Sequence, residues 1–223
     1  MPAADEVRVW VVPLDRPPAP PAELVADLTP DERDRAERYR AGSVREQFII
    51  GRSLLRRILA GCLNTRPHAV PITYTAAGKP VLAAGDLHFN LTHTSGLALI
   101  ALGRRRVGID VEGRRDVPGM DGLVERFFSP AERDGYQRLA AHHRPVAFFR
   151  GWTCKEAVIK AAGATVQCLD AFDVELDPAR PSAVLAVRDP VLAGSGWSVA
   201  DWEPAPGYTA AVAVEAPGPL RME

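Results

Sequence analysis

Apolar and polar positions along this chain follow two different periods, and the switches between them outline its elements. Residues 7–12 form a short apolar run that reads as a strand, followed by a proline-rich loop over 17–21. Thr29-Pro30-Asp31-Glu32 carries three agreeing helix-start signals: a threonine cap, proline at the first helical position and glutamate at the third. The helix it opens is expected to end near Gly42. Ser43-Val44-Arg45-Glu46 has a second capping-box pattern, and Phe48, Ile49, Leu54, Leu55, Ile58 and Leu59 then recur at helical spacing to about Cys62. Residues 71–75 read as a strand and Ala77-Gly78-Lys79-Pro80 as a turn. Residues 88–93 alternate, 97–102 form a buried-strand candidate, and a charged turn over 103–106 leads into the apolar run 107–111. Ser129-Pro130-Ala131-Glu132 predicts a helix to about Ala140, with His142 and His143 in the loop after it. A long helix is expected from Val146 to Ala162. Residues 172–176, 183–187, 197–202 and 208–214 read as four strands, and the alternation of Trp197, Val199 and Asp201 predicts one exposed face. Helices and strands in this order give an α+β class.

Composition narrows the picture in two ways. The 223 residues suffice for one or two domains with a real core. Twenty-seven basic residues against 28 acidic ones give no global pull toward nucleic acid or a membrane surface. Three cysteines without metal-ligand spacing suit a reducing, cytoplasmic setting, and no signal peptide or membrane span is read. Only Lys79, Lys155 and Lys160 are lysines; every other basic position is arginine. Three lysines kept against that bias mark places where a compact ammonium is wanted.

The candidate chemistry begins at the end of the run 107–112. Asp110 and Glu112 are two apart, so on a strand both carboxylates point to one face, where they repel unless a cation or donors compensate. The plainer alternative is a solvated strand end paired with arginines 104–106. Trp152, Glu156 and Lys160 share one helix face by i,i+4 spacing, and the plainer alternative there is a surface ion pair. A third carboxylate brought to Asp110 and Glu112 would make a hard-cation site of the kind Mg²⁺ occupies with substrate phosphates. Gly78-Lys79-Pro80 and Asn90-Leu91-Thr92-His93 add an ammonium, an amide, a hydroxyl and an imidazole. No Walker A loop is present.

The order G-K-P, F-N-L-T-H, V-G-I-D-V-E and W-x-x-K-E-A-x-x-K, from about Thr29 to Val174, resembles the 4′-phosphopantetheinyl transferases of the larger, single-chain type that serve secondary metabolism. The resemblance implies two similar packed α+β halves, 1–105 and 106–223, with coenzyme A in the cleft between them. It implies Asp110, Glu112 and Glu156 as Mg²⁺ ligands, and Lys155 and Lys160 as contacts to the diphosphate. Gly78, Lys79, Pro80, Asn90, Leu91, Thr92 and His93 would contact coenzyme A, with Arg35 and Arg52 as further basic positions on the first helices. Thr92 stands where serine is common, and Thr165 where a second glycine often follows Gly163.

The implied reaction is transfer of 4′-phosphopantetheine from coenzyme A to a serine of an acyl or peptidyl carrier protein, by a monomer, for polyketide, nonribosomal peptide or siderophore synthesis. Glu156 is the candidate base, directly or through a water, and Lys155 and Lys160 neutralise phosphoryl charge. Two other classes stay open: a Mg²⁺-dependent phosphodiesterase, and a non-catalytic carrier-binding protein of the same fold. The segment 124–128 and the helix after it are a candidate docking face for the carrier, or else an amphipathic stretch facing the core.

Overall fold

The computed structural model describes residues 2–3, 6–194, 196–215 and 220–222. Strand β1 (Glu6–Pro13) leads through the prolines to a one-turn helix, α1 (Pro21–Leu24), which starts with Pro21 at its first position. Helix α2 (Pro30–Glu37) begins at the expected capping box: Glu32 N–H donates to Thr29 Oγ1 at 3.4 Å and Thr29 N–H to Glu32 Oε2 at 3.1 Å. It stops at Glu37, short of Gly42. Helix α3 (Gly42–Leu63) carries the long apolar stripe. Its start corrects the second expected box. Ala41 is the cap and makes no side-chain hydrogen bond, so Ser43 and Glu46 lie inside the helix.

A small hairpin, β2 (Ile72–Tyr74) and β3 (Pro80–Leu82), holds the G-K-P turn, with Gly78 at φ 81°. Strands β4 (His88–Thr94), β5 (Leu97–Gly103) and β6 (Val107–Gly113) follow in quick succession. Helix α4 (Met120–Phe127), not expected from the sequence, starts after Gly119 at φ 75°. Helix α5 (Pro130–Arg138) begins at the expected Ser129 box, with bonds of 3.2 and 2.8 Å. His142 and His143 fall in a 3₁₀ turn before the long helix α6 (Arg144–Ala162). The chain closes with β7 (Phe172–Val174), β8 (Val184–Val187), β9 (Ser198–Trp202), β10 (Tyr208–Val214) and β11 (Arg221–Met222).

Two sheets form the centre. One runs β11-β1-β5-β4 and the other β6-β10-β9. Their inner faces meet in an apolar layer that includes Val7, Leu99, Ala101, Ile109, Val111 and Val212. The outer face of the first sheet packs on α3 through Leu55, Leu59, Phe89 and Ile100. That of the second packs on α6 through Ala157, Val158, Ala211 and Ala213. The result is a helix–sheet–sheet–helix stack, and β5, covered on both faces, is buried along its whole length. The same layering corrects the expected exposed face of β9. Trp197 and Val199 belong to the α6 core, while Ala200 and Trp202 pack between the sheets. The docking-face expectation is also corrected in part: Val124 and Phe128 are buried in the α6 core, which leaves Arg126, stacked on Phe127, outside it.

Candidate functional site

The two sheets meet edge to edge at β4 and β6, and side chains stitch the seam. Asn90 Oδ1 accepts from Ile109 N–H at 2.8 Å, and Thr92 Oγ1 donates to Asp110 Oδ1 at 3.1 Å. Asn90, Thr92 and Asp110 are all buried. Helix α6 lies directly on β6. A Cβ at Gly108 would fall within 3.0 Å of both Ala157 O and Ala161 N, so only glycine lets strand and helix come this close. That approach brings Lys160 Nζ to 2.5 Å from Asp110 Oδ1 and 3.4 Å from Thr92 Oγ1, with Glu156 Oε2 at 3.8 Å. Removing Lys160 would leave a buried carboxylate without its counter-ion, a loss of about 3–5 kcal/mol.

Three carboxylates belong to this corner. Asp110 Oδ2 is buried with no hydrogen-bond partner. Burial raises Glu156 above the usual carboxylate range; Lys160 opposes this, and the charges of Asp110 and Glu112 add to it. Glu112 leans outward to Arg115 at 3.2 Å. Among the described residues no three such side chains form a ready-made metal cluster, so the expected ligand set is not drawn tight. Its chemistry nonetheless fits a hard cation, because Asp110 keeps a buried oxygen with no partner and the charges of Asp110 and Glu112 both act on Glu156.

A cavity of about 200 Å³ opens on the α3 side, lined by Arg35, Phe48, Arg52, Gly78, Pro80 and His93. Arg52 is almost fully buried, and its Nε and Nη1 have no hydrogen-bond partner although Glu32 lies 3.6 Å from Nε. Arg35 and Arg52 both stack on Phe48, with guanidinium carbons 5.3 and 5.7 Å from the ring centre. Leu91 lines the same cavity. Partial burial, then the Lys160 charge, holds the His93 imidazole below its usual range, so it is neutral at pH 7 and offers a hydrogen bond rather than a charge. An adjoining cleft of about 260 Å³ is lined by Gly78, Lys79, Pro80, Asn90 and Lys160. Gly78 and Pro80 of the G-K-P turn thus line both the arginine cavity and this cleft, which Lys160 of the acid–lysine corner also lines.

The structure corrects the role expected of Lys155. Its ammonium is fully buried on the opposite side of α6, where it donates to Leu169 O at 2.6 Å and Phe172 O at 2.7 Å and pairs with Glu132 Oε2 at 2.8 Å. It also sits 4.2 Å over the Phe172 ring. No donor is left for a diphosphate, so Lys155 is part of the core. Lys79 is likewise not turned to the arginine cavity. Its Nζ donates to the carbonyls of Lys160 and Ala161 at the end of α6 and lies 3.5 Å from Val107 O. The Thr92 hydroxyl faces Asp110 and not the cavity. Two charged cores went unread in the sequence. Glu32 pairs bidentately with buried Arg56 at 2.5 and 2.9 Å, and Glu132 with Lys155. A glutamate at the third position of each capping box was the available signal.

Two family models match this chain: "4'-phosphopantetheinyl transferase, N-terminal" over residues 21–104 and the "4'-phosphopantetheinyl transferase superfamily" over 106–213. The 4′-phosphopantetheinyl transferase HetI of Nostoc sp. is 37% identical over 216 residues, covering 95% of this chain and 88% of its own length. A 4′-phosphopantetheinyl transferase of Bacillus subtilis is 29% identical over 174 residues, 76% of this chain and 77% of its own. A solved Helicobacter pylori holo-[acyl-carrier-protein] synthase in complex with coenzyme A overlaps 48% of this chain and 97% of its own, at 18% identity and a TM-score of 0.36, too loosely to bear on the site. The chain belongs to the 4′-phosphopantetheinyl transferases, and its α+β fold is of that family.

Proposed function

We propose that this protein transfers the 4′-phosphopantetheine group of coenzyme A to the serine hydroxyl of an acyl or peptidyl carrier protein, and that one continuous site carries the reaction. The observation that carries the reading is the pairing, across the G-K-P turn, of a buried arginine with free N–H groups and a buried aspartate with a free oxygen. The first suits the phosphate-bearing adenosine end of coenzyme A and the second its diphosphate. Membership of the family supports the substrate pair.

In the step itself the serine Oγ bonds to the β-phosphorus. The bond from that phosphorus to the bridging oxygen breaks, and adenosine 3′,5′-bisphosphate leaves with the electron pair. Glu156, raised above the usual carboxylate range by burial, accepts the serine proton. Lys160, held by Asp110 and Thr92, neutralises charge on the phosphoryl oxygens. Asp110, Glu112 and Glu156 are the residues that would hold Mg²⁺, which when bound supplies further positive charge to the diphosphate. His93 and Arg52 orient the ligand from the cavity side.

The reading includes two functional halves divided near residue 105, supported by the ends of the two family matches at 104 and 106. It also includes a monomer acting in the cytoplasm. Two halves of one chain supplying one cleft support the monomer, and three free cysteines suit a reducing compartment. Polyketide or nonribosomal peptide carriers are the expected partners.

The test is intact mass spectrometry of a panel of apo carrier proteins incubated with this protein, Mg²⁺ and coenzyme A. A gain of one phosphopantetheine is expected, lost with EDTA and lost when the carrier serine is alanine. Coenzyme A binding without any mass gain would point to a carrier-binding role, and failure to bind coenzyme A would overturn the reading. Phosphodiester hydrolysis without coenzyme A would favour the phosphodiesterase class.

A further inference from the structure

The end of α6 poses an accounting question. The last four carbonyls of a helix have no partner within it. Here the chain turns at Gly163, in the left-handed region at φ 73°, and both Gly163 N–H and Ala164 N–H fold back onto Ile159 O. The carbonyls of Lys160 and Ala161 are left over, and Lys79 takes both. Its third neighbour is Val107 O, one residue before Gly108 on β6. One ammonium from the hairpin thus joins the end of the catalytic helix to the start of the strand that carries Asp110. Those acceptors use all three of its N–H groups, which leaves none for a phosphate oxygen. A positive charge at a helix C-terminus is also favoured by the helix dipole.

The main chain of the same turn does something else. Gly78 and Pro80 line the arginine cavity, whereas Lys79 does not. Its main chain is fixed locally, with Thr75 N–H donating to Lys79 O at 2.9 Å and Lys79 N–H to Thr75 Oγ1 at 3.1 Å. The turn therefore links the ligand cavity to the far end of α6. Arg106, just before β6 and itself paired to Glu215, is the charged group that acts on the ammonium, and Lys79 in turn acts on His88 of β4.

We propose that Lys79 is a positioning residue: it caps α6 from the neighbouring hairpin and holds Lys160 and Glu156 in register with Asp110. The inference rests on the reaction proposed above and assigns Lys79 to the helix end instead of to coenzyme A.

The test compares wild type, Lys79→Met, which keeps the stem and removes the donors, and Lys79→Gln, which keeps N–H donors without charge. All are assayed well below their melting temperatures, with coenzyme A varied at a saturating carrier. Lys79→Met should lower kcat about 10- to 100-fold with KM for coenzyme A within about twofold, since small misplacements near reacting groups act on turnover. Lys79→Gln should recover part of the loss. Hydrogen exchange at the amides of residues 158–164 should rise in Lys79→Met, and this reads the cap without any turnover. A tenfold rise in KM with kcat unchanged would overturn the inference in favour of direct contact with coenzyme A. Unchanged kcat with unchanged exchange at 158–164 would overturn it outright. If wild type transfers nothing, the functional reading fails, and the exchange experiment still judges the cap.

Discussion

Gly108→Ala is the sharpest perturbation this structure offers. The glycine is at ordinary backbone angles, so its role is space and not conformation. An added Cβ meets two backbone atoms of α6, Ala157 O and Ala161 N, and neither can swing aside as a side chain could. To reach the 3.4 Å of ordinary contact, strand and helix must part by about 1 Å or more. Strain of this kind in a close-packed interior costs about 1–3 kcal/mol, and a rigid backbone neighbour puts the cost at the upper end. The displacement falls between Asp110 on the strand and Glu156 and Lys160 on the helix, and a 1 Å error there costs about 10²-fold in turnover. Urea denaturation followed by circular dichroism gives the first quantity, and the rate of holo-carrier formation at saturating substrates gives the second. A Gly108→Ala protein with the wild-type urea midpoint would refute the packing argument. A destabilised variant with wild-type turnover would refute the claim that this contact sets the geometry of the site.

Three further outcomes are expected. Arg52→Met removes two donor nitrogens that nothing in the fold satisfies, so KM for coenzyme A should rise about tenfold or more, as for loss of a charge-assisted bond, with stability little changed by thermal melting. Lys155→Met strands the buried Glu132 carboxylate, so stability should fall by about 3–5 kcal/mol in denaturant titration, while turnover of the folded fraction stays near wild type. Asp173 is held below its ordinary 3.8, first by hydrogen bonding to Arg188. Its contribution is therefore complete above pH 3.8 and lost as pH falls through the depressed native value. Asp173→Asn should cost about 1 kcal/mol at pH 7, discounted because Arg188 is about half exposed, and progressively less as pH falls below 3.8, read from urea midpoints across that range.

How far the sequence spoke depended on whether a signal was local. The capping boxes at Thr29 and Ser129 held because a proline at the first helical position pins each start. Ser43 has valine in that place, and α3 begins one residue before it. Asp110 and Glu112 were legible from strand alternation, and Glu156 with Lys160 from helical spacing. Lys155 was misread although the same arithmetic applied: five residues from Lys160 is about 140° around a helix, so the two cannot share a face. The partners of Arg52, Lys79, Glu32 and Glu132 lie far away in sequence, and only packing brings them together. Helix α4 escaped because its eight residues begin at a glycine with no side-chain cap.

The three lysines share one more property. Lys79 faces three carbonyl oxygens, Lys155 two carbonyls and a carboxylate, and Lys160 a hydroxyl and two carboxylates. Each set of acceptors closes on a single point, which suits a tetrahedral ammonium and not the flat fork of a guanidinium. In a chain that writes arginine everywhere else, lysine has become a marker of convergent acceptors. An exchange of lysine for arginine, silent on most protein surfaces, would here be a change of shape. In other arginine-rich proteins the few surviving lysines are then the first positions to inspect for oxygens that meet in three dimensions.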